Sequence, residues 1–290
     1  MAIIEFQNTK KYFGNVEAVN GISLKIEKGE IFGFLGPNGA GKTTTISLML
    51  DFLKPTAGEV ILNGLKVSEN STELKRNIGY IPADVHFYEN MTIQKHFELI
   101  TTLKGKTKYL TDLIDDFDLN PKKKPKELST GNRQKFAIIL ALMHGPEILI
   151  MDEPTRGLDP LYQNVFYKWL KKLNREGSTV FMSSHNLFEV ENICNRVAVI
   201  KKGKVVALED VKTLRNKRMH LVEIEFLEKF NSSDFKESKW EIIEKMDYHL
   251  KLKVAGDINL LLKTLTKYQV KDLLIERAGL EEIFLEYYQD

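Results

Sequence analysis

The chain has 290 residues, 43% hydrophobic and 28% charged, which suits one large globular domain or a large one with a small one and excludes a disordered or collagen-like polymer. Its 42 basic and 40 acidic side chains leave a net charge of +2, without the basic excess by which nucleic-acid binders hold phosphate backbones, so no nucleic-acid partner is expected. The single Cys194 excludes an internal disulfide and fits a reducing compartment. Glu5 interrupts the apolar start, so no signal peptide is expected. The most apolar run, Ala137 to Met151, is broken by His144-Gly145-Pro146 and falls short of the roughly 20 residues of a bilayer span. Any membrane crossing is therefore expected of another chain.

In chain order, Ile3-Ile4-Glu5-Phe6 and Gly21 to Ile26 alternate apolar and polar residues and read as half-buried antiparallel strands. Ile31 to Leu35 is a short apolar strand, followed by a glycine-rich loop and a helix over Thr43 to Leu53. Pro55 to Leu62 supplies a turn and a strand. Residues 85–145 read as mainly helical, clearest over Thr92 to Lys104 and Tyr109 to Phe117, with Asn90 as a helix cap. Ile148 to Met151 is a buried strand, Leu161 to Leu173 an amphipathic helix, Thr179 to Ser183 a strand and Leu187 to Cys194 a helix. Val197 to Ile200 and Lys204 to Leu208 flank a turn at Lys202-Gly203. Apolar strands alternating with helices imply a mostly parallel, covered sheet.

Beyond about residue 215 the texture changes. Strands are expected over Leu221 to Phe226, Trp240 to Met246, His249 to Val254 and Leu273 to Arg277, and helices over Ile258 to Tyr268 and Leu280 to Tyr288. The expected organisation is 1–215 as one domain, with a helical part at about 85–145, and 216–290 as a small α+β domain. There is no internal repeat and no low-complexity tract.

Two positions carry chemistry. Gly36-Pro37-Asn38-Gly39-Ala40-Gly41-Lys42-Thr43, followed by Thr44, is a complete phosphate-cradling loop between a strand and a helix. Its glycines let backbone N–H groups turn inward without Cβ clashes, and the following helix aims its positive end at the same anion. Lys42 reaches the β- and γ-phosphates, and Thr43 offers a hydroxyl to magnesium. Asp152 and Glu153 end the strand Ile148 to Met151, where α/β folds hold ligands. Asp152 suits the magnesium shell and Glu153 the attacking water. ATP and Mg2+ are the expected ligands. His185 follows another strand and, on position alone, reads as an ordinary surface or core histidine. Lys122-Lys123-Lys124 reads as a solvated loop.

The ordered set of Gly36 to Thr43, Leu128-Ser129-Thr130-Gly131-Asn132, Asp152-Glu153-Pro154-Thr155, Gly157-Leu158-Asp159 and His185 resembles the ATPase subunit of an ABC transporter over residues 1 to about 215. The stretch Ala278 to Glu286 resembles the tail of the multidrug and antibiotic exporter branch. The resemblance implies an α/β P-loop NTPase cassette with a mostly parallel sheet core, an antiparallel β subdomain and a helical subdomain, followed by the small C-terminal domain. It implies two ATPase subunits paired head to tail, alike or different, a separate transmembrane permease, and a peripheral place on the cytoplasmic face of the membrane. Each nucleotide would then lie between the Lys42 loop of one subunit and Ser129, Thr130, Gly131 and Asn132 of the other, at a helix starting near Asn132. Glu153 would be the general base, His185 a γ-phosphate contact and Asp159 the coupling residue. Phe13 matches the aromatic that stacks on adenine, with Tyr12 as the alternative. Phe87 and Tyr88 would be anchors for the membrane partner if exposed, and core residues if not.

Two departures stand out. Thr130 and Asn132 replace the usual Gly and Gln of the signature, and Ala83-Asp84 stand where a Gln is expected after Gly79-Tyr80-Ile81-Pro82. Ala83 cannot reach magnesium or water; either Asp84 takes that role or the role is absent. These changes motivate an alternative reading, a low-turnover nucleotide sensor in an asymmetric heterodimer. A soluble ABC ATPase acting on ribosomes or DNA is disfavoured, because such relatives carry two cassettes or long coiled-coil insertions.

Overall fold

The computed structural model describes residues 2–105, 107–216, 219–238, 240–255 and 257–277. The chain divides into two units, Met1–Glu209 and Asp210–Asp290.

The first unit begins with β1 (Ala2–Phe13) and β2 (Val16–Glu27), an antiparallel hairpin longer than the two short strands expected from alternation. Its polar distal half pairs as well: Phe13 opposes Val16 across a turn in which Gly14 adopts φ +57°. Then follow β3 (Ile31–Leu35), α1 (Lys42–Met49), β4 (Ala57–Leu62), β5 (Leu65–Lys66), α2 (Val67–Arg76) and β6 (Ile78–Ile81). The α2 helix has no counterpart in the sequence reading. It is mostly polar and buries only Val67 and Leu74, too few apolar positions to form a periodic stripe. Strands β2-β1-β4-β5 make one antiparallel sheet, as anticipated for a β subdomain.

The helical part holds α3 (Ile93–Lys104), α4 (Leu110–Asp116) and α5 (Thr130–Leu142). The cap of α3 is Thr92, whose hydroxyl accepts from Lys95 N, and not Asn90. Helix α5 begins at Thr130, with Ser129 as its cap, two residues ahead of the start expected near Asn132. The unit continues through β7 (Ile148–Asp152), α6 (Pro160–Arg175), β8 (Thr179–Ser184), α7 (Leu187–Ile193), β9 (Arg196–Lys201) and β10 (Lys204–Asp210).

The central sheet runs β10-β9-β3-β8-β7-β6. Its inner pairs are parallel, and every residue of β3, β7 and β8 is buried, which is why these strands are short apolar runs without alternation. Register puts Leu35 opposite Ser184, Asp152 opposite Ser183 and Ile81 opposite Met151. The carboxyl ends of four strands therefore meet along one edge of the sheet, where open α/β folds hold their ligands.

The second unit contains α8 (Val211–Asn216), β11 (Met219–Phe226), β12 (Trp240–Lys245), β13 (His249–Ala255), α9 (Ile258–Leu265) and β14 (Val270–Arg277). Its antiparallel sheet has the order β12-β13-β11-β14. Val222, Ile224 and Phe226 face one side with Leu250, Leu252 and Val254, and Leu261 and Leu265 of α9 join them in a separate core. Glu223 and Glu225 alternate to the other side, paired with Lys251 and Lys271. The helix expected over Leu280 to Tyr288, and the tail Ala278 to Glu286, lie outside the described residues.

Candidate active site

The loop from Gly36 to Gly41 leaves β3 and enters α1 at Lys42. Gly41 caps the helix at φ +107°, and a Cβ there would stand 2.3 Å from the Ala18 carbonyl oxygen. A Cβ on Gly36 would stand 2.6 Å from the Ile200 carbonyl oxygen. The loop thus lies flat against the backbone of β2 and β9, and only glycine permits that approach. Gly36 N–H donates to Ser184 O at 3.3 Å, and Gly203 N–H donates to Ala40 O at 2.9 Å. Both bonds tie the loop to neighbouring segments.

Lys42 is buried, with 6% of its side chain exposed. Its ammonium donates to Gly36 O at 2.8 Å and Pro37 O at 3.2 Å and lies 3.3 Å from Glu153 Oε1. Thr43 Oγ1 donates to Asp152 Oδ2 at 2.6 Å, across 109 residues of sequence. Ser183 donates its hydroxyl to the other oxygen of Asp152, which is fully buried. Sequence reading did not single out Ser183; its position at the end of a buried strand was the available signal.

Glu153 has φ +49°, and its N–H donates to both the carbonyl and the hydroxyl oxygen of Ser183 at 3.2 Å. These bonds hold a left-handed conformation that a glutamate seldom adopts. Glu153 Oε2 lies 3.1 Å from His185 Nδ1. Burial pushes the Glu153 carboxyl up, but the His185 hydrogen bond and charge, together with the Lys42 ammonium, outweigh it and hold the pKa below the ordinary 4.5. Tyr80, on the adjacent β6, is pushed up to about 12 by burial and by the charge of Asp152, so its phenol stays neutral.

Lys42, Thr43, Asp152 and Glu153 open on a cavity of about 550 Å³, also lined by loop residues Pro37 to Gly39, Gly41 and Thr44 and by Ala83, Arg156 and Lys202. That volume suits a nucleotide-sized ligand. Its far wall is Val16, Glu17 and Ala18 of β2, so neither Phe13 nor Tyr12 lines it. Phe13 is 48% exposed with the Lys11 ammonium 5.2 Å from its ring centroid, and Tyr12 directs its hydroxyl at Asn20 Oδ1, 3.5 Å away.

The signature residues stand apart from this cavity. Ser129 Oγ accepts from Asn132 N at 3.3 Å, so both residues serve the N-terminus of α5, with Ser129 and Thr130 exposed. A Cβ on Gly131 would stand 3.0 Å from Gly157 O, which brings α5 against the loop that follows Glu153. Gln134 completes that join by donating from Nε2 to Pro154 O at 2.6 Å in a buried setting. Asp159 caps α6, accepting from Tyr162 N at 3.2 Å. Phe87 turns inward onto Phe136, centroids 4.3 Å apart, beneath the Arg133 guanidinium, whereas Tyr88 is 65% exposed. Asp84 is exposed, does not line the cavity, and meets Arg156, which does.

A strand, a glycine loop closed on a buried lysine, and a hydroxyl–carboxylate pair from the next parallel strands define a P-loop nucleoside-triphosphate-binding protein. Comparison with known proteins narrows the class. The ABC transporter family profile matches residues 19–156. The linearmycin resistance ATP-binding protein LnrL of Bacillus subtilis is 35% identical over 71% of this chain and 68% of its own length. The bacitracin transport ATP-binding protein BcrA of Bacillus licheniformis is 30% identical over 96% of this chain and 97% of its own. The dimeric ATP-binding cassette MJ0796, in a post-hydrolysis state bound to ADP and Pi, superposes with a TM-score of 0.66 at 27% identity over 72% of this chain and 98% of that one. The chain belongs to the ABC transporter family and is one of its ATP-binding subunits.

Proposed function

We propose that this chain hydrolyses ATP to drive an exporter whose membrane-spanning permease is a separate subunit, working as a homo- or heterodimer of ATPase subunits on the cytoplasmic face of the membrane. The observation that carries the reading is the convergence of Lys42, Thr43, Asp152 and Glu153 on one cavity from two distant places in the sequence, with His185, from a third, 3.1 Å from Glu153. Among the described residues no helix is long and apolar enough to cross a membrane, which is consistent with a separate permease. The resistance and transport functions named for LnrL and BcrA support export, and the MJ0796 dimer supports pairing.

The loop amides from Gly39 to Thr43 and the Lys42 ammonium bind and orient the triphosphate. Thr43 and Asp152 offer hard oxygen donors side by side, which fits a magnesium ion. Among the described residues no group of three or more His, Cys, Asp or Glu side chains forms a closed metal site, so these two would be the protein's share of an open one. When bound, magnesium neutralises developing charge on the phosphates. Glu153, ionised at neutral pH, accepts a hydrogen bond from the attacking water and polarises it. His185, just after β8, fixes the orientation of the Glu153 carboxylate and faces the terminal phosphate. The α5 N-terminus, with Ser129, Thr130, Gly131 and Asn132, would meet the nucleotide of the second subunit. Asp159, at the start of α6, would couple the two sites. Phe13, at the end of β1, would stack on adenine, which requires the tip of the β1–β2 hairpin to fold towards the cavity. No observation favours the low-turnover sensor over this reading.

Steady-state ATPase measurement on wild type and Glu153→Gln is the test. A loss of about 10²-fold or more in kcat with nucleotide affinity retained is expected. Equal turnover in the two proteins removes Glu153 from its role.

A further inference from the structure

Arg156 lines the cavity but belongs neither to the phosphate loop nor to the carboxylates. It lies three residues beyond Glu153, in a turn closed by Arg156 N–H donating to Glu153 O at 3.1 Å. The preceding Thr155 is buried and hydrogen-bonds through its hydroxyl to Glu189, so the backbone under Arg156 is held from below. The side chain itself is 63% exposed and lines the same cavity as Lys42 and Glu153. Its guanidinium is 3.6 Å from Asp84 Oδ1, and Asp84 is 81% exposed. At that separation in solvent the ion pair is weak and readily exchanged. Asp84 therefore restrains Arg156 without immobilising it. Ala83, next to Asp84 in sequence, also lines the cavity, and its methyl group offers nothing polar and takes little space.

A nucleoside triphosphate brings up to four negative charges and a terminal phosphate whose oxygens match the guanidinium fork. A diphosphate lacks that phosphate. We propose that Arg156 recognises the terminal phosphate of a bound nucleoside triphosphate, exchanging its contact with Asp84 for one with the γ-phosphate, so that this pair sets the preference for triphosphate over diphosphate. The proposal rests on the nucleotide site described above and adds a second cation, beside Lys42, to its phosphate chemistry.

The test uses the full chain and displacement of a fluorescent nucleotide by AMP-PNP and by ADP, in wild type, Arg156→Ala, Arg156→Lys, Asp84→Ala and the Asp84→Ala/Arg156→Ala double variant. Both residues are exposed, so melting temperatures should agree across the set. Arg156→Ala should weaken AMP-PNP about tenfold while ADP stays within about twofold. Arg156→Lys should recover part of the loss. Asp84→Ala should tighten AMP-PNP several-fold, and the double variant should match Arg156→Ala. An unchanged ratio of AMP-PNP to ADP affinity, or equal weakening of both, overturns the assignment to Arg156 and leaves the nucleotide site standing. Wild-type chain that binds neither nucleotide overturns both.

Discussion

Replacing Gly41 by alanine tests the claim that the phosphate loop is pressed flat against β2. Two costs arise. Holding a non-glycine residue in the positive-φ region costs about 1–3 kcal/mol, and Gly41 sits at φ +107°. The new Cβ would also stand 2.3 Å from the Ala18 carbonyl oxygen, closer than real Cβ atoms approach, so either the loop or β2 must move. The alanine at Gly39 is the control. Its φ is +77° and no atom lies within 4 Å of the added Cβ, so it carries the backbone cost alone. Gly39→Ala should therefore lose about 1–2 kcal/mol, and Gly41→Ala about 3–4 kcal/mol. For a unit of this size that is a fall of roughly 3–6 °C against roughly 8–12 °C in Tm. Thermal melts of the two variants, with nucleotide titration alongside, read both effects. Affinity should fall at least about tenfold further in Gly41→Ala, because the loop can relieve the contact only by moving the amides that grip phosphate. Equal melting of the two variants would refute the close approach.

The lowered pKa of Glu153 predicts a pH signature. A depressed carboxyl contributes stability that is complete above its unfolded value of about 4.5 and is lost as pH falls through the folded one. The melting difference between wild type and Glu153→Gln should therefore diminish as pH is lowered through 4.5 and below. Gln134→Ala should strip the buried Pro154 carbonyl of its donor and cost about 1–3 kcal/mol in denaturant unfolding; an unchanged midpoint would show that water replaces the amide. Leu252→Ala, in the core of the second unit, should cost that unit about 2–5 kcal/mol, read as earlier proteolysis within residues 210–290, with nucleotide affinity unchanged.

Most of the elements were legible in the sequence because their causes are local. Alternation marked β1 and β2, unbroken apolar runs marked β3, β7 and β8, and glycine spacing marked the loop. What the sequence missed or left open was decided by tertiary contacts. Asn90 and Thr92 are both good caps; the structure caps α3 with Thr92, and the Ile93 and Gln94 amides that follow it donate to Lys123 O and Pro121 O, far along the chain. Phe87 and Tyr88 are adjacent aromatics of similar size, and contact with Phe136 and Arg133 turned one inward. Helix α2, with two buried residues, carries no periodic signal and is held by the strands beside it.

The sequence by itself determined that a phosphate-binding loop forms, since positive-φ glycines between a buried strand and a helix leave the backbone few other conformations. Which distant groups face that loop depended on tertiary structure. The order β3-β8-β7-β6 brings Ser183, His185, Asp152 and Glu153 together and places Arg156 beside Asp84. Sterics act between neighbours in the chain, whereas charge and hydrogen bonding act between neighbours in space. Spacing along the sequence reports only the first.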